Sequence, residues 1–350
     1  MAYVPPAYQA DPGTPPGGIT INTAYVESFK AGFEQAFQQT TSKLQPYFEQ
    51  ESQNEEFQYF DRIGAAEPMA EDASRYGDNP NSDIVHDRRR IGLRDYELGK
   101  YIDEKDLKRV LTDPMNAYTQ ALLSSGKRKI DDIIVDKFFG PAFTGKSGGT
   151  QVDFVTAPTD IDSGLISVGS VSAGSITTNG KYAVIAQGTG NLKEGFSIGE
   201  NYVSAGTDAS SGLTLDKLRA ARHTMLRLEA ITQDDTINCF LSAKQLDDLL
   251  RIDEVINSDY SVRKNLAEGN VTTFMGFRFI QTERLAADAD GARRVIISTP
   301  RSLKMSTGTA LKGDVWRVPA KKNIPYLYFK LCAEASRMWG EVSGEIRCAE

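Results

Sequence analysis

The feature that most limits how this chain can fold is a long polar stretch between two segments that resemble β-strands. The strand-like segments are Phe57–Gly64 and Arg90–Ile102, and residues 65–86 between them carry two prolines and show no helical period. An irregular segment of that length is anomalous inside a compact domain. We therefore predict a two-stranded excursion with a polar tip.

The predicted excursion is too long for its own subunit. Strands of about 20 residues would reach about 65 Å, whereas a compact chain of 350 residues has a radius of gyration of about 20 Å. Because an isolated hairpin is only marginally stable in water, the excursion needs a surface on a neighbouring chain.

A basic run lies in the same excursion. Arg88–Arg90 is accompanied there by acidic residues at Glu67, Glu71, Asp72, Asp78, Asp83 and Asp87. We expect salt bridges between subunits, with a solvated charged face as the second interpretation and nucleic-acid binding as the third.

Charge and cysteine content exclude several classes of protein. Lys and Arg number 40 against 47 Asp and Glu, a net charge of −7, whereas a histone-like protein needs many cations against phosphate. No apolar run is long enough to predict a membrane span, and the start lacks the basic and apolar parts of a secretory signal. Three cysteines without a Cys-x-x-Cys pair indicate neither a disulfide framework nor a zinc ribbon. A reducing cytoplasm is the expected compartment.

Two helices are predicted in the first 140 residues. Residues 1–18 hold five prolines and three glycines and predict an extended arm. An apolar stripe follows at Val26, Phe29, Phe33, Phe37, Thr40 and Leu44. The stripe fits an ordinary core helix as well as an arm that docks on a partner. Asp113 and Pro114 then begin a rod of about 39 Å, which Gly140-Pro141 ends.

The rest of the chain predicts an α+β fold. Residues 145–212 carry 13 of the 30 glycines and predict short strands around an Asn179-Gly180 turn, as a variable surface insertion. A helix follows Thr214, and Ser242 with Gln245 forms a capping box before another. Further strand-like segments are Thr236–Leu241, Phe277–Thr282, Arg294–Ser298, Asp314–Val318, Tyr326–Ala333 and Gly344–Cys348.

One stretch matches a catalytic pattern, but its context does not. Gly140–Ser147 fits the phosphate-binding loop G-x-x-x-x-G-K-[ST]. That loop needs a strand before it and a helix after it, so that backbone N–H groups face the phosphates. Here a long helix precedes the motif and a strand-like tract follows it. A nucleotide hydrolase using Lys146 is therefore a minor alternative.

No other pattern predicts a catalytic, cofactor or metal site. The two histidines, His86 and His223, are too few for a metal cage. Asp160–Gly164 lacks the glycine and glutamate spacing of a calcium loop. We predict no catalytic residue, no cofactor and no bound metal.

The order of these features resembles that of the major capsid proteins of tailed bacteriophages, which have the Hong Kong 97-type fold. The most specific similarity runs from Leu241 to Leu285 and rests on Asp259-Tyr260, Gly269-Asn270-Val271 and Gly276-Phe277. Residues 334–350 resemble the family's terminal strand.

The resemblance implies a division of the chain into parts. These are an N-terminal arm with an amphipathic helix (1–46), an extended E-loop (47–108), a peripheral domain with a long spine helix (109–144), the Gly/Ser/Thr-rich β segment (145–212), an axial domain (213–300) and C-terminal strands that complete the peripheral and axial domains (301–350).

The resemblance also implies a structural function. The chain would form hexamers and pentamers of an icosahedral shell around the phage genome. The implied partners are further copies of the chain, a separately encoded scaffolding protein, a portal protein at one vertex, a cement or decoration protein, and double-stranded DNA through weak non-specific contact. The implied location is the virion, after assembly in the host bacterial cytoplasm, and no membrane is involved.

Two alternatives to a phage capsid protein stay open. An encapsulin-like nanocompartment shares the fold. A secreted adhesion or surface-layer protein is suggested by residues 145–212, but the expected signal sequence is missing.

Some family members cross-link covalently through an E-loop lysine, whereas this chain has no lysine between Lys43 and Lys100. We therefore predict a non-covalent shell.

The residues predicted to form the assembly interface lie in three segments. They are Phe29, Phe33 and Phe37 in the arm helix; Phe57, Tyr59, Phe60, Arg62, Arg75, Arg88, Arg89 and Arg90 in the excursion; and Tyr118, Leu122, Ile130 and Ile133 in the spine helix.

Overall fold

The computed structural model describes residues 39–64, 84, 86–102, 115–155, 192–203, 206–207, 211–232, 234–252, 273–285, 287 and 291–350. The predictions for Phe29, Phe33, Phe37, Arg75, the Asn179-Gly180 turn and the tip of the excursion lie outside these residues. The described elements mix helices with sheets, which confirms the α+β class.

The helices and strands are numbered along the chain. The helices are α1 (Met115–Phe139), α2 (Leu215–Arg227) and α3 (Ala243–Leu250). The strands are β1 (Glu49–Ser52), β2 (Phe57–Ile63), β3 (His86–Gly92), β4 (Asp95–Tyr101), β5 (Ala142–Thr144), β6 (Thr150–Phe154), β7 (Leu192–Glu194), β8 (Phe196–Ile198), β9 (Tyr202–Val203), β10 (Gly206–Thr207), β11 (Ile237–Leu241), β12 (Thr273–Phe274), β13 (Phe277–Gln281), β14 (Arg293–Ser298), β15 (Leu303–Val318), β16 (Ile324–Arg337) and β17 (Ser343–Cys348).

Three larger sheets collect strands that are far apart in sequence. The hairpin sheet has the order β1-β15-β16-β4, the ribbon sheet β2-β3-β5-β6-β7 and the central sheet β12-β13-β11-β14-β17-β8. β15 and β16 are 16 and 14 residues long. They form an antiparallel hairpin whose turn places Lys322 and Asn323 in the left-handed region.

The predicted long helix is confirmed as α1, which runs for 25 residues or about 37 Å. Its C-terminal half is buried on several sides, with Ile133, Ile134 and Phe138 in a core shared with the hairpin sheet. Gly126 allows the close approach to that sheet, because a Cβ there would lie only 2.6 Å from the Leu311 side chain. The C-terminal half of α1 is therefore a core element that packs against the hairpin sheet.

A second core lies between the central sheet and helices α2 and α3, with Leu218, Met225 and Leu249 among its buried side chains. Both predicted helix starts are confirmed. Thr214 caps α2, and the backbone N–H of Ser242 donates to Gln245 Oε1 at 3.1 Å in the capping box of α3.

The excursion differs from the prediction. The pairing of β2 with β3 is confirmed, but each strand is seven residues long. Arg90–Ile102 is wrong as a single strand, because the chain bends at Leu93 and Arg94. Leu93 donates its N–H to Glu56 O and Arg94 O accepts from Ala333, so the bend is fixed to the body. β1 and β4, which flank the pair, belong to the hairpin sheet.

The glycine-rich region, residues 145–212, is not wholly the surface insertion that was predicted. Its short strands are present, but β6 and β7 belong to the ribbon sheet and β8 to the central sheet. Phe154 and Phe196 are buried in the two cores. Both ends of residues 145–212 are therefore integral to the subunit.

The phosphate-loop motif has the wrong surroundings for a nucleotide. The residues of Gly140–Ser147 follow α1 and include β5, and the next element is β6. The described residues that follow the loop, 148–155, contain no helix whose N-terminus could bind phosphate. Among the described helices, none is long and apolar enough to cross a membrane.

Candidate assembly surface

The antiparallel pair β2 and β3, called the ribbon below, has two unlike faces. Its register runs from Phe57 opposite Gly92 to Ile63 opposite His86. Alternation along β2 places Phe57, Tyr59 and Ile63 on the outer face, where all three are exposed, Ile63 by 60%. Phe60 and Arg62 lie on the inner face, towards the body of the subunit.

The outer face combines aromatic rings with arginines. The Arg88 guanidinium lies 5.6 Å from the centre of the Tyr59 ring, and its Nε donates to Asp61 at 2.9 Å. Arg90 lies over the rings of Phe57 and Phe143, at 5.1 and 5.2 Å. Rings held in place by neighbouring cations offer apolar area with little loss of side-chain freedom. This face is suited to contact with another protein surface.

The inner face is occupied within the subunit, which corrects part of the expected arginine interface. Arg89 is 1% exposed and forms an ion pair with Glu194 of β7. Arg62 is also buried, pairs with Asp87 and donates to the carbonyl oxygen of Met338. Since their guanidinium groups are enclosed by their own chain, Arg62 and Arg89 cannot bridge to a neighbour, whereas Arg88 and Arg90 can.

Asp87 shows how firmly the inner face is held. Burial acts to raise the pKa of this carboxyl group, but hydrogen bonds from Thr144 and Arg62, with the charge of Arg62, hold the pKa below its ordinary value. The charged form is therefore stabilised by contacts that join β3, β2 and β5.

The spine-helix residues divide in the same way. Ile130 and Ile133 are buried in the core of the subunit and are corrected from interface to packing residues. Tyr118 is half-buried beneath Lys100, whose Nζ lies 4.9 Å from the ring centre. Leu122 lines a groove of about 230 Å³ between α1 and the hairpin sheet, together with Leu98 and Phe329. Of these four spine-helix residues, only Tyr118 and Leu122, in the N-terminal half of α1, remain accessible to a partner.

A cluster missed by the sequence analysis lies at the far end of the hairpin sheet. Tyr101, Trp316, Tyr326 and Tyr328, called the aromatic tip below, lie on one face of β4, β15 and β16. The ring centres of Tyr101 and Tyr326 are 4.4 Å apart and those of Trp316 and Tyr328 are 5.0 Å apart. Trp316 and Tyr101 are each 42% exposed.

Polar and charged groups surround the aromatic tip. The Tyr328 hydroxyl donates to Glu97 at 2.5 Å, and this bond, with smaller contributions from burial and the Glu97 charge, raises the pKa of Tyr328 to about 12. Lys321 Nζ lies 4.0 Å from the centre of the Tyr101 ring. The strands were predicted there, but the pairing of three of them was needed to bring the rings together. The alternation of Tyr326 and Tyr328 was the available signal.

The described residues hold no group of three or more His, Cys, Asp or Glu side chains placed to bind a metal ion. Cys239 and Cys348 are buried, and burial raises the pKa of Cys348 to about 12, which disfavours a reactive thiolate. The candidate assembly surface comprises the ribbon's outer face and the aromatic tip, where large apolar side chains are exposed.

A model of a known family decides the identity of the chain. The family described as phage capsid protein matches residues 21–350. The chain belongs to the phage capsid protein family. It is a structural protein of the phage capsid, and self-assembly into a shell places it in the virion. None of the curated proteins compared with this sequence matches it significantly.

Solved structures agree with the family on the fold. The chain is similar to the capsid of cyanophage Pam1, with 14% identity, 97% of this chain and 100% of that chain covered, and a TM-score of 0.59. The capsid of cyanophage P-SCSP1u gives 13% identity, 95% coverage of both chains and a TM-score of 0.59. The capsid of Ralstonia phage GP4 gives 10% identity, 99% coverage of both and a TM-score of 0.59. The Hong Kong 97-type fold inferred from sequence is confirmed.

Proposed function

We propose that copies of this capsid protein form hexamers and pentamers of an icosahedral shell around the phage genome, using the ribbon's outer face as a principal contact. The observation that carries the proposal is the ribbon's asymmetry. Arg62 and Arg89 fix its inner face to the subunit, while Phe57, Tyr59 and Ile63 remain exposed on the other side. Exposed apolar groups gathered on one face favour association.

The aromatic tip supplies the second contact in this proposal. Met338, whose carbonyl oxygen binds Arg62 of the ribbon, donates its N–H to Ser302 O just before the start of β15. Trp316 lies 13 residues along that strand from Leu303, a distance of about 40 Å. Residues 312–330 carry five basic side chains and one acidic one in a chain of net charge −7. A basic tip is attracted to the acidic surface of a neighbour.

Two contacts at opposite ends suit a closed lattice. Each interface can be individually modest, because every subunit makes several of them at once and closure of the shell multiplies their effect. The predicted interface residues that the structure leaves at least partly accessible are Phe57, Tyr59, Phe60, Arg88, Arg90, Tyr118 and Leu122, although Phe60 lies on the ribbon's inner face.

The parts of the chain are assigned within this proposal. We assign residues 1–46 to the arm, 109–144 to the peripheral domain with its spine helix, 213–300 to the axial domain and 301–350 to the strands that complete both domains. The E-loop comprises the ribbon and the residues between its strands rather than the whole of 47–108, because β1 and β4 belong to the hairpin sheet. The described strands within residues 145–212 belong to the ribbon sheet, the central sheet and a two-stranded sheet of β9 and β10.

The proposed partners are a separately encoded scaffolding protein, a portal protein at one vertex, a cement or decoration protein and packaged double-stranded DNA. Assembly would take place in the host bacterial cytoplasm. The acidic net charge of −7 supports only weak, non-specific DNA contact, because a strongly cationic wall would grip the genome.

Electron microscopy of the protein expressed with its neighbouring genes tests the proposal. Uniform hollow particles with five-fold and six-fold clusters are expected, and their filled form should contain DNA. Particles that enclose a cargo enzyme would favour the encapsulin-like alternative, and a monodisperse monomer would contradict both. Mature particles should run as single subunits on denaturing gels, whereas ladders would overturn the non-covalent shell.

A further inference from the structure

Glu194 bridges two buried arginines at the base of the ribbon. Its Oε1 accepts from Arg337 Nε at 2.7 Å, and its Oε2 accepts from Arg89. The side chains of Arg89, Glu194 and Arg337, called the arginine joint below, are 1%, 2% and 0% exposed. One buried carboxylate therefore pairs with two buried guanidinium groups.

The two arginines depend on Glu194 to different degrees. Arg337 also donates to the carbonyl oxygens of Phe138, Gly140 and Val152, at 2.6, 3.0 and 3.1 Å. In contrast, Nε and Nη1 of Arg89 are buried without a hydrogen-bond partner. Burial lowers the pKa of Arg89, and the Glu194 charge opposes that shift. A buried charge is strongly destabilising when its partner is removed, so the ribbon's side of the joint is the vulnerable one.

The joint connects parts of the chain that are distant in sequence. Arg89 lies on β3 of the ribbon, Glu194 on β7, and Arg337 at the end of β16, where it also binds the C-terminal end of α1. Arg62 adds a second attachment through the carbonyl oxygen of Met338. Together with the backbone pairing of β3 with β5, these bonds attach the base of the ribbon to the rest of the subunit.

We infer that Glu194 is a positioning residue for shell assembly: through Arg89 it sets the angle of the ribbon, although it is buried inside the subunit and touches no neighbour. The inference rests on the proposed use of the ribbon's outer face as a contact. A small change in angle at the base is amplified along the ribbon, so the joint determines whether neighbouring copies meet with the curvature of a closed shell.

The test compares Glu194→Gln with a matched control, Glu345→Gln. Glu345 is also fully buried and also bridges two arginines, with Arg294 at 2.6 Å and Arg347 at 3.2 Å, but its partners, which include Ser197, lie on strands of the central sheet and not on the ribbon. Both substitutions keep the side-chain shape and remove the charge. Both should lower the Tm of unassembled subunits, whereas only Glu194→Gln should convert uniform shells into open or irregular particles at a temperature where both variants are folded.

The outcomes separate the inference from the proposed function. If the wild-type protein forms no shells, the proposed function fails before any variant is compared. If the wild type assembles and Glu194→Gln forms shells of normal size and yield, or if both variants lose uniform shells to the same extent, the positioning role is wrong.

Arg89→Met provides a second variant in case Glu194→Gln does not fold. It leaves the Glu194–Arg337 pair intact and removes only the bond between the ribbon and Glu194, while the bonds of Arg62 and Asp87 remain. Irregular particles from folded Arg89→Met subunits, with faster protease cleavage at the ribbon before assembly, are the expected result. Uniform shells and unchanged cleavage would overturn the inference.

Discussion

Trp316 lies directly opposite Tyr326 in the hairpin sheet, with the ring centres 5.5 Å apart, and Tyr326 lies opposite Tyr101 on the next strand. The three rings form a row across the end of the sheet. Because Trp316 and Tyr101 remain about two-fifths exposed in the isolated subunit, the row offers apolar area to a neighbouring copy.

Replacement of Trp316 with Ala should impair assembly far more than folding. The ring's contacts within the subunit contribute about 1 kcal/mol, so the Tm of unassembled subunits should fall by only a few degrees. The yield of shells, measured by sedimentation, should fall several-fold. Val315→Ala is the control, since Val315 is exposed on the opposite side of the same strand. Equal shell yields from the two variants would contradict a role for the aromatic tip.

Replacement of Tyr59 with Ser should remove a contact of the ribbon's outer face. Within the subunit the ring lies beneath Arg88, and its hydroxyl donates to Ser147 O at 3.3 Å. Loss of these exposed contacts should lower the free energy of unfolding by less than about 1 kcal/mol, while shells should be scarce in electron micrographs. Tyr59→Phe keeps the ring and should assemble normally. Normal shells from Tyr59→Ser would exclude Tyr59 from the interface.

Replacement of Ile133 with Ala should destabilise the subunit itself. Ile133 is fully packed in the core between α1 and the hairpin sheet, and a truncation of this kind costs about 2–4 kcal/mol. Leu123→Ala on the same helix should cost less than about 1 kcal/mol because its side chain is exposed. Chemical denaturation of unassembled subunits measures both values. Equal losses would mean that Ile133 is not a core residue.

The class of fold could be predicted because local patterns were strong. The helix rich in Ile and Phe that ends at Gly140-Pro141, the capping box at Ser242 and the strand Ile237–Leu241 all depend on neighbours within a few residues. The paths of β4 and β1 could not be predicted. Their backbones pair with β16 and β15, more than 200 residues away, and no local pattern specifies such a partner.

The site was predicted less fully than the fold. Alternation along β2 was sufficient to indicate that Phe57 and Tyr59 share a face, but not which face is outward. Arg88, Arg89 and Arg90 look alike in sequence, and only the period of two, combined with the position of Glu194 on β7, separates the buried arginine from its exposed neighbours. The aromatic tip could not be predicted, because its rings come together only when β4, β15 and β16 pair.

Acid should weaken the attachment of the ribbon through Asp87. The pKa of Asp87 in the folded protein lies below its ordinary value of 3.8, because Thr144 and Arg62 outweigh the effect of burial. A carboxylate with a lowered folded pKa stabilises the fold above its unfolded pKa, and that contribution is lost as the pH falls through the folded value. Asp87→Asn should therefore lower the free energy of unfolding at neutral pH, and the difference from wild type should shrink below the ordinary pKa.

Urea denaturation at about pH 7 and about pH 3 measures that difference. Asp61→Asn is the control, because Asp61 pairs with Arg88 on the ribbon's exposed outer face, where an ion pair contributes little at either pH. A gap between Asp87→Asn and wild type that stays constant from neutral pH to acid would show that the charge of Asp87 does not hold the ribbon to β5. In that case the backbone pairing of β3 with β5 and the bonds of Arg62 and Arg89 would account for the attachment.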